Sequence, residues 1–179
     1  MCYFLLYFFI LCASLACSSM QAIVTMYNWQ LYRHIQAPGW IMGWQWAKKE
    51  VIWNLIGSET REQGDCSKFH GTLPHCCKKN PEVIDLLPGV PYNQQTANCC
   101  RGGVLSSYTQ DPATSVASYQ IVVGQSGNTN KTVLLPKNFT LMTPGPGYTC
   151  GPAKNVDKTK FFSTDGRRIT LAFSKHFCS

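Results

Sequence analysis

Three tryptophans alternate along one predicted strand. Trp40, Trp44 and Trp46 lie in the run WIMGWQW at residues 40–46, and the period of two in a β-strand places their side chains on one face. Indole rings on such a face either fill the core of a sandwich or lie exposed and stack on the apolar faces of sugar rings. The residues alone leave both interpretations open. Further candidate stacking residues are Tyr27, Trp29 and Trp53.

Cysteines form the second group that could do chemistry, since the chain has 10 of them. In a secreted chain this number indicates a disulfide framework. We expect neither adjacent pair to bond internally, because the closed ring is too small for a relaxed disulfide. A zinc site using His70 and His75 is disfavoured because adjacent thiols lack the C-x2-4-C spacing, and we expect no metal and no cofactor. The expected disulfide cysteines are Cys66, Cys76, Cys77, Cys99, Cys100 and Cys150.

Candidate catalytic residues are few. Glu59, Glu62 and Asp65 could supply the two carboxyl groups of a glycosidase, but their polar, turn-rich setting is more typical of a solvated loop. No G-x-S-x-G, HExxH or Walker pattern is present. We therefore expect a protein that is not an enzyme.

The N-terminus predicts secretion. Residues 1–19 begin with a strongly apolar run, and Ser14 and Ala16 have the small side chains of a signal-peptide cleavage site. The alternative is an uncleaved membrane anchor, although the run is shorter than the ~20 residues that a spanning helix needs. Behind a signal peptide, Asn130 and Asn138 fit the N-glycosylation pattern and are predicted to be solvent-facing.

Length and composition indicate one folded domain. The chain has 179 residues, of which 45% are hydrophobic and 14% are charged, and this balance excludes disorder caused by low hydrophobicity. The formal net charge of +7 comes from scattered basic residues, whereas nucleic-acid binding usually needs a denser basic patch. We expect no nucleic-acid partner. Acidic wall polymers or an anionic membrane surface, bound through basic loops, remain the charge-driven alternative.

The elements that would position these residues are short strands. Residues between 59 and 98 are rich in Gly and Pro and predict long irregular loops, and no long helix is indicated. This pattern predicts an all-β, disulfide-braced β-sandwich. The predicted strands are residues 23–29, 40–46, 51–56, 119–123, 132–135 and 139–142.

Several motifs closely resemble the plant COBRA family. The resemblance extends from about residue 22 to residue 168 and is rich in Trp and Cys. The motifs that carry it include VTMYNWQLYRHIQAPGW at 24–40, GWQWAKKEVIW at 43–53, QGDCSKF at 63–69, PHCCKK at 74–79, DLLPG at 85–89, PYNQQ at 91–95, NCC at 98–100, KNFT at 137–140 and PGPGYTCGP at 144–152.

The resemblance implies a non-enzymatic extracellular glycoprotein, lipid-anchored at the outer face of the plant plasma membrane or in the cell wall. Its N-terminal half would be similar to a cellulose-binding β-sandwich module, and its role would be cellulose microfibril organisation, wall biogenesis and oriented cell growth. Residues 22–150 would form that module, with cellulose or a related wall polysaccharide as the partner. We expect residues 151–179 to be a divergent, truncated segment without the family's anchor signal, and the pattern to be shortened before residue 22 as well.

Overall fold

The structure is a computed structural model that describes residues 4–11, 19–125, 136–145, 148, 150–151, 154–162 and 169–178; side chains are described for residues 21–124, 136–145, 148 and 150–151. Within these residues the chain forms ten strands and one short 3-10 turn, Tyr92–Gln94. The strands are β1 (Phe4–Leu11), β2 (Ser19–Asn28), β3 (Ile41–Gln45), β4 (Glu50–Ile56), β5 (Ser58–Thr60), β6 (Glu82–Asp85), β7 (Val116–Gln125), β8 (Lys137–Met142), β9 (Lys154–Phe162) and β10 (Ile169–Cys178).

Two antiparallel sheets confirm the predicted all-β sandwich. The larger sheet has the order β4-β7-β2-β1-β10-β9, and the smaller one has the order β5-β6-β3-β8. Five of the six predicted strands coincide with β2, β3, β4, β7 and β8 to within a few residues, and the sixth, residues 132–135, lies outside the described residues. Among the described residues, no helix has the length and apolar character needed to cross a membrane.

The apolar N-terminal run contributes a strand. β1 pairs with β2 on one side and with β10 on the other. The sequence did not indicate this strand, because a short apolar run rich in aromatic residues is as compatible with a strand as with a leader. The signal peptide over residues 1–19 stays a prediction.

The core lies between the sheets and contains the alternating tryptophans. Trp40, Trp44 and Trp46 are 1%, 3% and 3% exposed. The Trp40 ring stacks on Tyr119 at 6.1 Å between centroids, and Trp44 meets Trp46 edge to face at 5.4 Å. Around them pack residues of the facing larger sheet and of the strands that flank β3 in its own sheet, including Ala22, Val24, Met26, Val83, Ala117, Ile121, Phe139 and Leu141.

Burial of these indoles is favourable despite an electrostatic cost. Their three Nε1–H groups have no hydrogen-bond partner within the part of the chain that the structure describes, and an unsatisfied buried donor costs about 1–3 kcal/mol. Removing an indole of about 150–250 Å² from water contributes about 4–6 kcal/mol at about 25 cal/mol per Å². The apolar contribution therefore outweighs the lost hydrogen bond.

Asp85 fixes the loop that leads into β7. Its Oδ1 accepts the Cys100 backbone N–H at 2.9 Å, and its Oδ2 accepts those of Arg101 and Gly103, each at 2.9 Å. Gly103 in turn accepts the Trp40 backbone N–H at 3.1 Å. One buried carboxylate thus joins the end of β6 to the loop that packs on the first core tryptophan.

A pair of glycines permits this contact. Gly39 has φ +93°, in the left-handed region that favours glycine, and a Cβ there would lie 2.1 Å from the carbonyl oxygen of Gly102. A side chain at residue 39 would therefore push the loop away from the core.

A disulfide joins Cys66 to Cys77 and braces the irregular segment after β5, as the sequence predicted for this segment. Cys76, which we expected to be bonded, is a buried free thiol. Its Sγ donates to the carbonyl oxygen of Glu62 at 3.3 Å, and burial raises the pKa of this thiol. The expectation that Cys76 forms a disulfide is therefore corrected.

The expectation that adjacent cysteines do not bond is also wrong for one pair. Cys99 and Cys100 are bonded to each other. The backbone here has left-handed values at Asn98 (φ 62°) and Cys100 (φ 69°) and is held by the Asp85 hydrogen bonds, a constraint that no sequence spacing reveals. Cys150 is disulfide-bonded, as predicted.

We predict that Trp44→Ala lowers the free energy of unfolding by about 3–5 kcal/mol, the usual cost of deleting a large buried aromatic side chain. Urea denaturation followed by circular dichroism measures this change. Tyr92→Ala is the control because its side chain is 90% exposed, and it should stay within about 0.5 kcal/mol of the parent. Equal stabilities of the two variants would contradict the buried position of Trp44.

We predict that Asp85→Asn costs about 1.5–3 kcal/mol, because an amide NH₂ replaces one oxygen that accepts backbone N–H groups. Hydrogen exchange should also accelerate among the amides that the carboxylate holds, which are those of Cys100, Arg101 and Gly103. The exposed carboxylate Glu59 provides the matched control, Glu59→Gln, which should leave both readouts unchanged. Unaltered exchange in Asp85→Asn would show that this carboxylate does not anchor the loop.

Candidate functional site

A buried amide at the end of β2 positions the chain that follows. Asn28 is fully buried, and its Nδ2 donates to the carbonyl oxygens of Arg33 and Ser106, both at 2.9 Å. Its backbone N–H donates to the carbonyl of Ser115 at 2.8 Å. These hydrogen bonds hold the loop at 29–33 against the loop at 106–115.

Three aromatic rings meet on the surface where these loops join. The ring of Trp29 stacks on that of Tyr27, with 5.8 Å between the centroids and 22° between the planes. The centroid of the Trp29 ring also lies 4.4 Å from that of Tyr108. Trp29 is 39% exposed and Tyr108 is 40% exposed, and the Tyr108 N–H donates to the carbonyl of Gln30 at 3.1 Å. We call Tyr27, Trp29 and Tyr108 the ring cluster. The ring cluster exposes apolar ring surface to solvent, with phenol and backbone polar groups beside it.

The tryptophan face is not available to a ligand, whereas the ring cluster is. Trp40, Trp44 and Trp46 are enclosed by the two sheets, so a polymer outside the protein has no access to them and their assignment as stacking residues is corrected. Of the other candidates, Tyr27 and Trp29 come together. Sequence reasoning missed Tyr108, because nothing in the run SSYT indicates contact with a ring 79 residues earlier.

Trp53 lies elsewhere, along the outer edge of the larger sheet. It is the extra residue in a β-bulge of β4, between Ile52, which pairs with Val123, and Asn54, which pairs with Val122. Its half-buried ring meets Phe69 edge to face at 5.4 Å. The structure therefore divides the predicted stacking residues among the core, the ring cluster and this edge.

Two of the candidate catalytic carboxylates, Glu62 and Asp65, have lowered pKa values. A hydrogen bond from Lys78, together with its charge, lowers the pKa of Glu62. Hydrogen bonds from Ser67 lower the pKa of Asp65. A glycosidase general acid needs a raised pKa, so neither group is arranged for that role.

The sequence disfavoured a metal site that would use His70 and His75. Within the described residues, no group of three or more His, Cys, Asp or Glu side chains could hold a metal ion.

The predicted glycosylation residue Asn138 is exposed on the edge strand β8. Its backbone has φ 51°, at the point where the pairing of β8 with β3 shifts register. Its Nδ2 donates a hydrogen bond to Gln45 Oε1 at 2.9 Å. Its side chain is thus solvent-facing, as an acceptor asparagine requires. Asn130 lies outside the described residues.

Comparison with known proteins gives a consistent assignment. The profile of the COBRA N-terminal domain matches residues 20–178. The chain is 70% identical over 151 residues to COBRA-like protein 1 of Arabidopsis thaliana, covering 84% of this chain and 33% of the relative. Identity is 68% to Protein COBRA of Arabidopsis thaliana, with the same coverages, and 66% to COBRA-like protein 1 of Oryza sativa subsp. japonica, covering 84% and 34%.

The chain thus spans about one third of the length of these relatives. Its match to the family profile extends over most of its length, including the strands that carry the ring cluster and the core tryptophans. The chain belongs to the COBRA family.

Proposed function

We propose that this chain is a non-catalytic module that binds cellulose through the ring cluster and takes part in organising microfibrils in the plant cell wall. Membership of the COBRA family supports the setting in the plant cell wall. The observation that supports the binding mode is the contact of Trp29 with Tyr27 and Tyr108 at a surface where two of the rings stay well exposed.

Stacking is the interaction that such a surface offers to a neutral polymer. The axial C–H bonds of glucose make the faces of the ring apolar, and the rings of cellulose present these faces in a plane. Covering Trp29 and Tyr108 with such a face removes apolar area from water on both sides, at about 25 cal/mol per Å². Because the interaction involves no net charge, salt should hardly affect it.

The charge-driven alternative uses basic side chains instead. Two of these already pair with carboxylates of the protein: Arg61 pairs with Glu82 at 2.8 Å, and Lys78 pairs with Glu62. Lys48 and Lys49 are exposed and adjacent, so they are the described residues best placed to attract an acidic polymer. Binding of that kind weakens steeply with salt, since the screening length falls to about 3 Å at 1 M.

Secretion and anchoring belong to the same proposal. A leader over residues 1–19 would deliver the chain to the cell exterior, where Asn138 is placed to carry a glycan. Attachment to the outer face of the plasma membrane would require the lipid anchor of the family.

We predict that Trp29→Ala and Tyr108→Ala each weaken sedimentation with crystalline cellulose by at least about tenfold, the size expected when an aromatic contact at the centre of an interface is lost. Tyr92→Ala is the control, because it removes a ring that is even more exposed and lies outside the cluster. Bound fractions over a series of cellulose concentrations measure the effect. Parent-like binding by Trp29→Ala would exclude the ring cluster as the binding surface.

We predict that the bound fraction of the parent protein changes by less than about twofold between low salt and 1 M NaCl. Replacing both lysines of this adjacent pair, Lys48→Gln with Lys49→Gln, should likewise leave sedimentation unchanged. A steep loss of binding with salt, accompanied by a loss in the lysine variant, would support the charge-driven alternative instead.

A further inference from the structure

A cleft lies where the chain passes from the larger sheet to the smaller one. Backbone hydrogen bonds between Ile52 and Cys76, at 2.9 and 3.0 Å, hold the segment after β5 against the edge of β4. One part of the cleft, about 450 Å³, is lined by Trp53, Gln63 and His75 among others. This volume is within the range of about 300–1,000 Å³ typical of small-ligand sites.

A second pocket, of about 400 Å³, adjoins the first at His75, the residue that lines both. This second part is lined by amide side chains, among them those of Asn54, Asn93 and Gln94. We call the two parts together, defined by Trp53, Gln63, His75, Asn54, Asn93 and Gln94, the β4 cleft.

The bulge at Trp53 gives the β4 cleft an aromatic wall. A bulge rotates its extra residue out of the regular alternation of the strand, and bulges are common beside functional sites. Phe69 meets the Trp53 ring edge to face at 5.4 Å and holds it in place. An aromatic ring with amide groups further along the cleft combines a stacking surface with the donors and acceptors that sugar hydroxyls need.

His75 can act as a hydrogen-bonding group without carrying charge. Burial lowers the pKa of His75, an effect that the negative charge of Glu59 only partly offsets, so the ring is neutral near pH 7. The Thr60 backbone N–H lies 3.4 Å from Nε2, which assigns the acceptor role to Nε2 and leaves the proton on Nδ1. The imidazole can therefore donate to a ligand oxygen.

The charges around the β4 cleft select against an acidic ligand. Arg61 is paired with Glu82, and Glu62 with Lys78, so these groups are satisfied within the protein. Glu59 also lines the second part, and its negative charge repels a uronic acid. The remaining chemistry suits a neutral sugar.

We propose that the β4 cleft is a second glycan site, which takes a single neutral sugar chain rather than the flat face of a cellulose crystal; the choice of a β-1,4-glucan as that chain rests on the proposed function. A cleft admits one chain edge-on, whereas a crystal face cannot enter it.

The strand register separates this site from the ring cluster. Tyr27 pairs with Val116, whereas the residues on either side of Trp53 pair with Val122 and Val123. Six or more residues of β7 separate the two levels, which is ~20 Å along the strand at about 3.3 Å per residue. The module could therefore hold a crystal surface and a free chain at the same time.

Calorimetric titration of the full chain with cellohexaose tests the proposal. We expect the parent to bind, Trp53→Ala to bind at least about tenfold more weakly, and Trp29→Ala to bind within about twofold of the parent. Asn93→Ala, an exposed loop change that spares the core, should weaken binding by about fivefold through a lost hydrogen bond. This second variant decides the matter if Trp53→Ala does not fold, as judged by near-ultraviolet circular dichroism.

Sedimentation of Trp53→Ala with crystalline cellulose separates this proposal from the ring-cluster proposal. Parent-like sedimentation together with lost cellohexaose binding supports two sites, whatever Trp29→Ala does to sedimentation. The second site is overturned if the parent does not bind cellohexaose, if Trp29→Ala rather than Trp53→Ala abolishes that binding, or if a galacturonic acid hexamer binds as well as cellohexaose.

Discussion

Burial of three indoles between two sheets is the interaction on which this structure depends. Trp40, Trp44 and Trp46 fill the space between β3 and the larger sheet, and their apolar surface is worth more than the hydrogen bonds that their ring nitrogens forgo. With these three rings inside, the tryptophans nearer the surface lie at a strand end and at a bulge. Trp29 and Trp53 occupy such positions.

Two buried polar side chains hold the neighbouring loops in place through hydrogen bonds to the loop backbone. Asp85 holds the segment around residues 100–103, and Asn28 holds the segment at 29–33. Each reaches backbone groups far along the chain, so each loop has its position set by a strand end rather than by its own sequence. The ring cluster rests on the second of these anchors, which gives an exposed aromatic surface on irregular chain a fixed geometry.

The sequence was sufficient for five of the strands, β2, β3, β4, β7 and β8, and for the alternation of the tryptophans, because strand periodicity is a local property. It did not decide which side of the strand faces the core, since that depends on the facing strands. The sequence did not indicate Tyr108, because the ring that it contacts, Trp29, is distant in the chain. The position of Trp53 depends on a β-bulge, which is visible only in the pairing of β4 with β7. The bond between Cys99 and Cys100 likewise depends on a loop backbone that Asp85 imposes from outside the motif.

The tryptophans of this chain divide into buried structural rings and more exposed rings, to which we assign binding. The most direct test is the indole N–H region of a ¹⁵N spectrum, recorded with and without cellulose nanocrystals and assigned by single Trp→Phe replacements. We predict that the indole N–H signal of Trp29 broadens when the protein binds cellulose. The signals of Trp40, Trp44 and Trp46 should stay unchanged, and their indole protons should exchange slowly with solvent. Broadening of any of these three core signals, with Trp29 unaffected, would contradict this division of the tryptophans.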